Sequence, residues 1–452
     1  MSLKENLVGL YSSLPYWLQD GLITVFNTYQ YRQRQGGDYA KWKAYHAQHW
    51  TADQASVEQE AMRRQHEFLS HATTQSRWFS KHRSSDLQSF PTMTKQDLVA
   101  NRETISTLEP NKGVVGKTGG TTGASLEVVY DRSDFQERMA LLDLFREQFG
   151  HSLGKKTSWF SGKSIVTERD VVKGRCYRDD LINKIRFFST FHINSGTIGA
   201  YAAAHNRFSP EYIVGFPSSI FEMCRLAKEH GIQLNRSVKA VFPTSEVVYP
   251  HQRTLFREML GAETYDQYAS AEGAPFIVEC AHRNLHFISL SGAIEIVDED
   301  LEPIDEGEGE ALVTSFTTRG TPLIRYRVGD RMKFSDANKT CPCGSPYPLV
   351  DYIDGRTAAH ITSPETGNIY QGNLSNCTKG VSGIECFQLV QNTTNAVTVR
   401  LVADRKFDTT NKAKFLENLR ERTGDLMQVD IEIVNHIPPG KNGKFRFVIN
   451  NL

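Results

Sequence analysis

Residues 114–130 read VVGKTGGTTGASLEVVY: two β-branched runs enclose Lys117–Ser125, a tract rich in glycine and threonine. Backbone amides and the adjacent hydroxyls of Thr121 and Thr122 can donate to phosphate oxygens, while Gly119, Gly120 and Gly123 allow close approach. No Gly-Lys-Ser/Thr closes the tract, so an ordinary P-loop ATPase is excluded by spacing. Alone, the tract fits a flexible turn as well as a phosphate cradle. What it decides is the fold. Strand, loop and strand lead into the amphipathic helix DFQERMALLDLFREQFG, which opens an alternation of short β-branched runs and helices.

That alternation continues through KTSWFSG, SSIFEMCRLAKEHG, KAVFPTSE and AETYDQY and predicts an α/β domain with a largely buried sheet. The segment before it is helix-rich, as in DQASVEQEAMRRQHEFLSHA. After it, HFISLSGAIEIVDEDLEPIDEGEGEALVTSF alternates with period two and reads as a hairpin. A smaller α+β unit closes the chain, with strands near 385–391 and 396–402, a helix over KAKFLENLRERTG, then DIEIVNHI. A chain of 452 residues needs more than one core, and the predicted division is 1–105, 106–355 and 356–452.

Lys plus Arg and Asp plus Glu number 52 each, so the net charge is zero, which argues against a nucleic-acid binder held by phosphate neutralisation. Lys4, Glu5, Pro15 and Asp20 interrupt the apolar N-terminus, so nothing reaches the ~18 apolar residues of a spanning helix. No signal-peptide pattern is present, and a cytoplasmic protein is expected. Tyr11, Trp17 and Phe26 are expected to pack on the main domain rather than lie on a membrane surface. The cysteine count, 7, is odd and the spacing irregular, which suits reduced thiols; Cys176, Cys224, Cys377 and Cys386 read as buried or semi-buried.

Four further motifs follow the opening tract. YDQYASAEG (265–273) ends a predicted strand and carries Glu272, a carboxylate available to a divalent cation. RYRVGD (325–330) places Asp330 after a glycine turn at a strand end, where it can accept both hydroxyls of a ribose. IDGR (353–356) precedes the C-terminal composition shift, and PPGKNGKFRF (438–447) sets Lys441 and Lys444 in a glycine-rich loop. Taken singly, these also fit a solvated glutamate, an Asx-type turn and solvated lysines.

Taken in order, the five resemble the adenylate-forming superfamily over roughly residues 110–450: a phosphate loop at Thr118–Gly123, then Tyr268–Glu272, Tyr326–Asp330, Gly355–Arg356 and Gly443–Lys444. GFPSSIFEMCRLA (215–227), PLIRYRVGD (322–330) and CPCG (341–344) resemble the phenylacetate–CoA ligase branch and its capsular-polysaccharide-cluster relatives. The resemblance implies an α/β fold: a large N-terminal domain with sandwiched sheets and a small barrel-like β region, plus a small mobile α+β C-terminal domain. It implies attack of a carboxylate on the α-phosphate of ATP, release of pyrophosphate, then displacement of AMP by coenzyme A or another thiol or amine acceptor, in polysaccharide modification if the capsule likeness holds. Thr118, Gly119, Gly120, Thr121, Thr122 and Gly123 would hold the departing phosphates and Glu272 a Mg²⁺ ion. Tyr268 would stack on adenine, Ser245 and Glu246 would line its pocket, and Asp330 would bind the ribose with help from Arg356. Lys444 would bridge the carboxylate and the α-phosphate. Phe191, His192, Phe216, Pro217 and Ala269 are expected to line the acid pocket.

The sequence departs from the family in three places. Leu126 stands where a lysine often follows the phosphate loop, Ala269 and Ala271 replace glycine and threonine, and Ala358, Ala359 and His360 follow Arg356 without the usual hinge acid. CPCG sets Cys341 and Cys343 one residue apart, downstream of Cys280, His282 and His286, a set suited to a closed structural Zn²⁺ site through Cys280, Cys341, Cys343 and His286, with His282 competing. A homodimer is a further open expectation, and a non-catalytic nucleotide-binding relative is the alternative function.

Overall fold

The computed structural model describes residues 11, 14–82, 84–117, 126–163, 165–246, 248, 250–270, 272–298, 300–304, 307–354, 360–370, 374–378, 380–403, 405–435, 437 and 447–452. Three helices open the chain, α1 (Tyr16–Gln35), α2 (Tyr39–His49) and α3 (Gln54–Gln75). The last begins where the Asp53 side chain accepts from the Ser56 N–H and buries Val57, Phe68, Leu69 and Ala72. Strands β1 (Val114–Lys117) and β2 (Glu127–Tyr130) pair antiparallel up to Lys117↔Glu127.

Helix α4 (Arg132–Glu147) leads into β3 (Thr157–Ser161), β4 (Tyr177–Asp180), β5 (Ile185–Ser189), α5 (Ile198–Phe208), β6 (Tyr212–Gly215), α6 (Pro217–Glu229), β7 (Ala240–Pro243), α7 (Pro250–Leu260) and β8 (Glu263–Thr264). These strands form a six-stranded sheet in the order β4-β5-β3-β6-β7-β8, parallel except for the edge strand β4. One apolar cluster, with Tyr201, Ile220, Met223 and Phe256, covers one face; a second, with Phe145, Phe242 and Tyr212, covers the other. Burial on both faces explains why YIVG and AVFP are continuous apolar runs instead of alternating ones.

The following strands, β9 (Gln267–Tyr268), β10 (Ile277–Glu279), β11 (Leu285–Phe287), β12 (Gly292–Val297), β13 (Gly309–Ser315), β14 (Tyr326–Phe334) and β15 (Leu349–Asp354), make an antiparallel sheet in the order β12-β13-β14-β15-β11-β10-β9. The chain ends in a hairpin, β16 (His360–Ser363) with β17 (Gly367–Tyr370), and a four-stranded sheet β20-β19-β18-β21. Its elements are β18 (Ile384–Thr393), β19 (Ala396–Ala403), α8 (Thr409–Thr423), β20 (Gln428–Ile433) and β21 (Val448–Asn450). Phe387, Leu389, Val399, Phe415 and Leu419 form their separate core. The expected helical start, α/β middle, hairpin over 292–315 and α+β end are all present.

Two expectations need correction. RYRVGD is not a turn at a strand end: Tyr326–Phe334 is one strand, and Gly329 (φ +85°) lies at a register shift between Glu310↔Arg331 and Leu312↔Arg327. The glycine makes a bulge that redirects Asp330 without ending the ladder. The N-terminal segment packs on the main domain as expected, but through Gln19, Asp20 and Thr24 rather than its aromatics: Trp17 and Phe26 are exposed, while Tyr11 is half-buried.

Candidate active site

Because β5, β3, β6, β7 and β8 run parallel, their carboxyl ends share one side of the sheet, where open α/β sheets bind ligands. Phe191 and His192 follow β5, Phe216 and Pro217 follow β6, Ser245 and Glu246 follow β7, and Tyr268 follows β8. Phe191 and Pro217 are buried, His192 and Phe216 half-buried and Ala269 exposed. His192 Nδ1 lies 2.7 Å from Ser189 Oγ; burial, with the Arg422 charge second, pushes its pKa down to about 4 and keeps the imidazole neutral near pH 7. The Arg422 guanidinium, from α8 of the C-terminal unit, sits 4.7 Å from the centre of the Phe191 ring. Gly215 (φ +147°) must be glycine, since a Cβ there would fall 2.1 Å from the Phe160 carbonyl oxygen.

After β7, Ser245 adopts a left-handed φ of +66°, the conformation glycine reaches without cost. Glu246 turns back to the start of α6: Oε2 accepts from the Ser218 N–H at 3.1 Å and Oε1 from the Ser218 hydroxyl at 3.0 Å. Burial pushes the Glu246 carboxyl up to about 7, opposed by those two bonds. It thereby ties the putting-in-place of the 216–218 turn to the loop after β7, a link its sequence context does not announce.

The second and third motifs meet. Tyr268 Oη donates to Asp330 Oδ2 at 2.8 Å, although β9 and β14 are separated by three strands in the sheet order. The sheet therefore curls far enough to bring its end strand back toward its middle, giving the barrel-like region. Glu272 is half-buried in the turn after β9. Gly273 (φ +106°) follows it, where a Cβ would meet Thr318 Cγ2 at 2.4 Å and Tyr130 Oη at 2.9 Å.

What positions this turn is Arg138 of α4, a residue the motif spacing did not single out. Its Nη1 donates to the Gly273 carbonyl and to Thr317 Oγ1, both at 2.9 Å, and its Nη2 to the carbonyls of Ala274 at 3.1 Å and Ser270 at 3.4 Å. The guanidinium lies 4.6 Å from the centre of the Phe276 ring, and burial lowers its pKa. The signal was available: Arg138 falls on the buried face of α4 with Leu141 and Phe145, where a cation needs a partner.

Cys280, His286, Cys341 and Cys343 come together, their ligand atoms all within 4.8 Å of one another. Cys280 Sγ is 3.6 Å from Cys341 Sγ, and Cys343 Sγ is 3.3 Å from His286 Nε2. His286 Nδ1 lies 3.2 Å from the Tyr347 carbonyl oxygen, which fixes the ring with Nε2 toward the thiols, and Asn284 Nδ2 donates to Cys341 Sγ at 3.1 Å. Three thiols and one oriented imidazole are a donor set that fits Zn²⁺. His282 is not in the group. Thr118–Gly123, Arg356 and Lys444 lie outside the described residues.

A doubly covered parallel sheet, a curled antiparallel sheet against its carboxyl edge and a small α+β end define the class: this is the fold of adenylate-forming ligases. A structure of 2-hydroxyisobutyryl-CoA ligase with 2-HIB-AMP and CoA superposes with a TM-score of 0.61 at 16% identity, over 90% of this chain and 92% of that one. The same ligase in its postadenylation state with 2-HIB-AMP gives 0.57 at 17% identity, over 90% and 92%. In sequence, residues 361–451 match the CapK C-terminal domain family. Indoleacetate–lysine synthetase of Pseudomonas savastanoi is 23% identical over 284 residues, 56% of this chain and 64% of that one. Protein CapK of Staphylococcus aureus is 30% identical over 373 residues, 81% of each chain. The chain belongs to the CapK family. No helix among the described residues is long and apolar enough to cross a membrane.

Proposed function

We propose that the protein activates a carboxylic acid with ATP. A carboxylate oxygen attacks the α-phosphorus, the bond to the bridging oxygen breaks, and pyrophosphate leaves with that electron pair. A thiol or amine then attacks the acyl carbon and AMP departs. The observation that carries the reading is the Tyr268–Asp330 hydrogen bond, which unites two motifs 62 residues apart at the carboxyl edge of the parallel sheet. Tyr268, Ser245 and Glu246 are assigned to the adenine side, Asp330 and Arg356 to the ribose, and Thr118–Gly123 to the departing phosphates through backbone amides and the Thr121 and Thr122 hydroxyls.

Carboxylate and triphosphate repel one another, so the attack requires cations at the α-phosphate, and Lys444 is assigned that role. Mg²⁺, if held by the hard oxygen donors of Glu272, would supply further charge neutralisation. Phe191, His192, Phe216, Pro217 and Ala269 are assigned to the acid. Zn²⁺ at the Cys280–His286–Cys341–Cys343 cluster is assigned a structural role, because four protein ligands leave no open position. The division at 105 and 355 and a cytoplasmic setting, where ATP and CoA are held, belong to the same reading.

The acceptor is open between coenzyme A, as in the 2-hydroxyisobutyryl ligase, and an amine, as the name of the indoleacetate–lysine synthetase implies. Transfer in glycan modification fits the CapK kinship. A pyrophosphate-release screen over aryl, fatty and amino acids, with and without CoA, tests the reading. Acid-dependent release supports it. No release or pyrophosphate exchange with any acid, while ATP still binds, overturns it in favour of a non-catalytic nucleotide-binding relative.

A further inference from the structure

Helix α1 is built inside out. Gln19, Thr24 and Asn27 are only 2%, 6% and 9% exposed, whereas Trp17, Leu22, Val25, Phe26 and Tyr29 are 61%, 49%, 69%, 57% and 59% exposed. The cause lies in what the helix covers. β4 is the outer strand of the six-stranded sheet, and an outer strand leaves backbone N–H groups unpaired. Side chains of α1 take them: Asp20 Oδ1 accepts from the Asp179 N–H at 3.2 Å and Thr24 Oγ1 from the Leu181 N–H at 3.0 Å. Gln19 Oε1 also accepts from Nε and Nη2 of Arg178 at 2.8 and 2.6 Å. With its polar face committed to the sheet edge, the helix turns its apolar face outward.

Leu22, Val25, Phe26 and Tyr29 follow the i, i+3, i+4, i+7 spacing of a single stripe. The turn that donates to Thr24 adds Leu181 and Ile182, 67% and 63% exposed. The Arg175 guanidinium lies over the Tyr16 ring, tying the turn after exposed Val172 to the start of the helix. A contiguous apolar surface of this kind marks an interaction site.

Charge decides the occupant. Among the side chains described in 161–185, a set that leaves out Glu168, the exposed charged ones are Lys163, Arg169, Lys173 and Lys184, all cationic. Three aspartates nearby are engaged: Asp170 with Arg178 at 2.6 Å, Asp179 with Arg186 at 2.7 Å, and buried Asp180 with Asn183 at 2.7 Å. On α1 the exposed charge is Arg32. The chain as a whole is neutral, so the cationic excess is local to this face. A second copy docking about a two-fold axis would set the basic rim against itself.

We propose that this face seats the protein on an anionic lipid surface. α1 lies in the plane of the interface, with Leu22, Val25 and Phe26 against the acyl chains. Tyr16, Trp17 and Tyr29 sit at headgroup level, and the basic rim faces the lipid phosphates.

The test is sedimentation of the full chain with phosphatidylcholine vesicles, with and without phosphatidylserine. Binding is expected only where phosphatidylserine is present, and it should weaken as salt is raised. Lys173→Ala and Lys184→Ala should each cost about fivefold in affinity. Phe26→Ser, which removes inserted apolar area, should cost about tenfold or more. Leu22→Ser serves as a second variant should Phe26→Ser unfold. Both side chains are exposed, so an unchanged urea midpoint and unchanged acid-dependent pyrophosphate release would separate this proposal from the activity. Failure of the wild type to bind anionic vesicles overturns it, as does equal binding by Phe26→Ser and Leu22→Ser. A dimer that Phe26→Ser dissolves, with no vesicle binding, would assign the face to a second copy instead.

Discussion

Replacing Arg138 by methionine keeps the length and apolar stem of the side chain while removing every donor to the Glu272 turn. Two backbone carbonyls, Gly273 and Ala274, and the Thr317 hydroxyl lose bonds of 2.9–3.1 Å; the Ser270 bond at 3.4 Å is weaker. An orphaned buried acceptor costs about 1–3 kcal/mol. Thr317 keeps its contact with Ser315 Oγ at 3.2 Å, so the sum rests mainly on the two carbonyls, about 2–6 kcal/mol. With a urea m-value of about 3 kcal/mol/M, the midpoint of the large domain falls by roughly 0.7–2 M. The effect on activity is separate from stability. A turn displaced by about 1 Å at a reacting centre costs about 10²-fold, so pyrophosphate exchange should fall by that order well below the unfolding midpoint. Arg138→Lys, which retains the charge but cannot reach all four acceptors, should lie between methionine and wild type in both assays. If Arg138→Met unfolds at the wild-type urea concentration and exchanges pyrophosphate at the wild-type rate, the assignment of Arg138 as the anchor of this turn is wrong.

Further outcomes are expected. Tyr268→Phe removes one hydrogen bond to a carboxylate, worth about 1.5 kcal/mol, and should raise the KM for ATP roughly tenfold with little change in the unfolding midpoint; an unchanged KM would detach Tyr268 from the nucleotide. Elemental analysis should find zinc in the purified chain, and chelation or Cys341→Ser should remove the metal and lower thermal stability; full stability without metal would make the cluster a set of plain thiols. Glu246 has its carboxyl pushed up to about 7 from the usual 4.5, so the folded state binds this proton more tightly than the unfolded chain does. Its contribution is present below pH 4.5 and lost as pH rises through about 7. Urea midpoints of wild type minus Glu246→Gln should therefore decline across that window, and a flat difference would refute the shift.

Element types were legible because their signals are local. The period of α4 and α6 and the uninterrupted apolar run of β7 follow directly from burial on one helical face or on both sheet faces. The bulge at Gly329 was not, because a glycine with positive φ makes a turn or a bulge depending on whether a partner strand continues beyond it, and β13 does. The partnership of Tyr268 with Asp330 depends on the curl of a sheet, which no single motif encodes. For α1 the apolar residues Trp17 and Phe26 were noticed, but the direction they face was set by N–H groups of β4 and the turn after it, residues 150 or more positions away in the chain. Motif order singled out Glu272 and Asp330 as candidates; the neighbour that secures the Glu272 turn, Arg138, could be found only by asking what a cation on an apolar helix face must bind.

The stacking of Arg422 on Phe191 means that, if Phe191 lines the acid pocket as proposed, one wall of that pocket is borrowed from the last hundred residues of the chain. An acid large enough to displace Phe191 must also push aside a guanidinium that belongs to another folding unit, whose own core does not involve the pocket. On that proposal, substrate size would be sensed as a change in how two bodies rest against each other. Engineering selectivity by trimming Phe191 alone would accordingly loosen a joint as well as enlarge a hole.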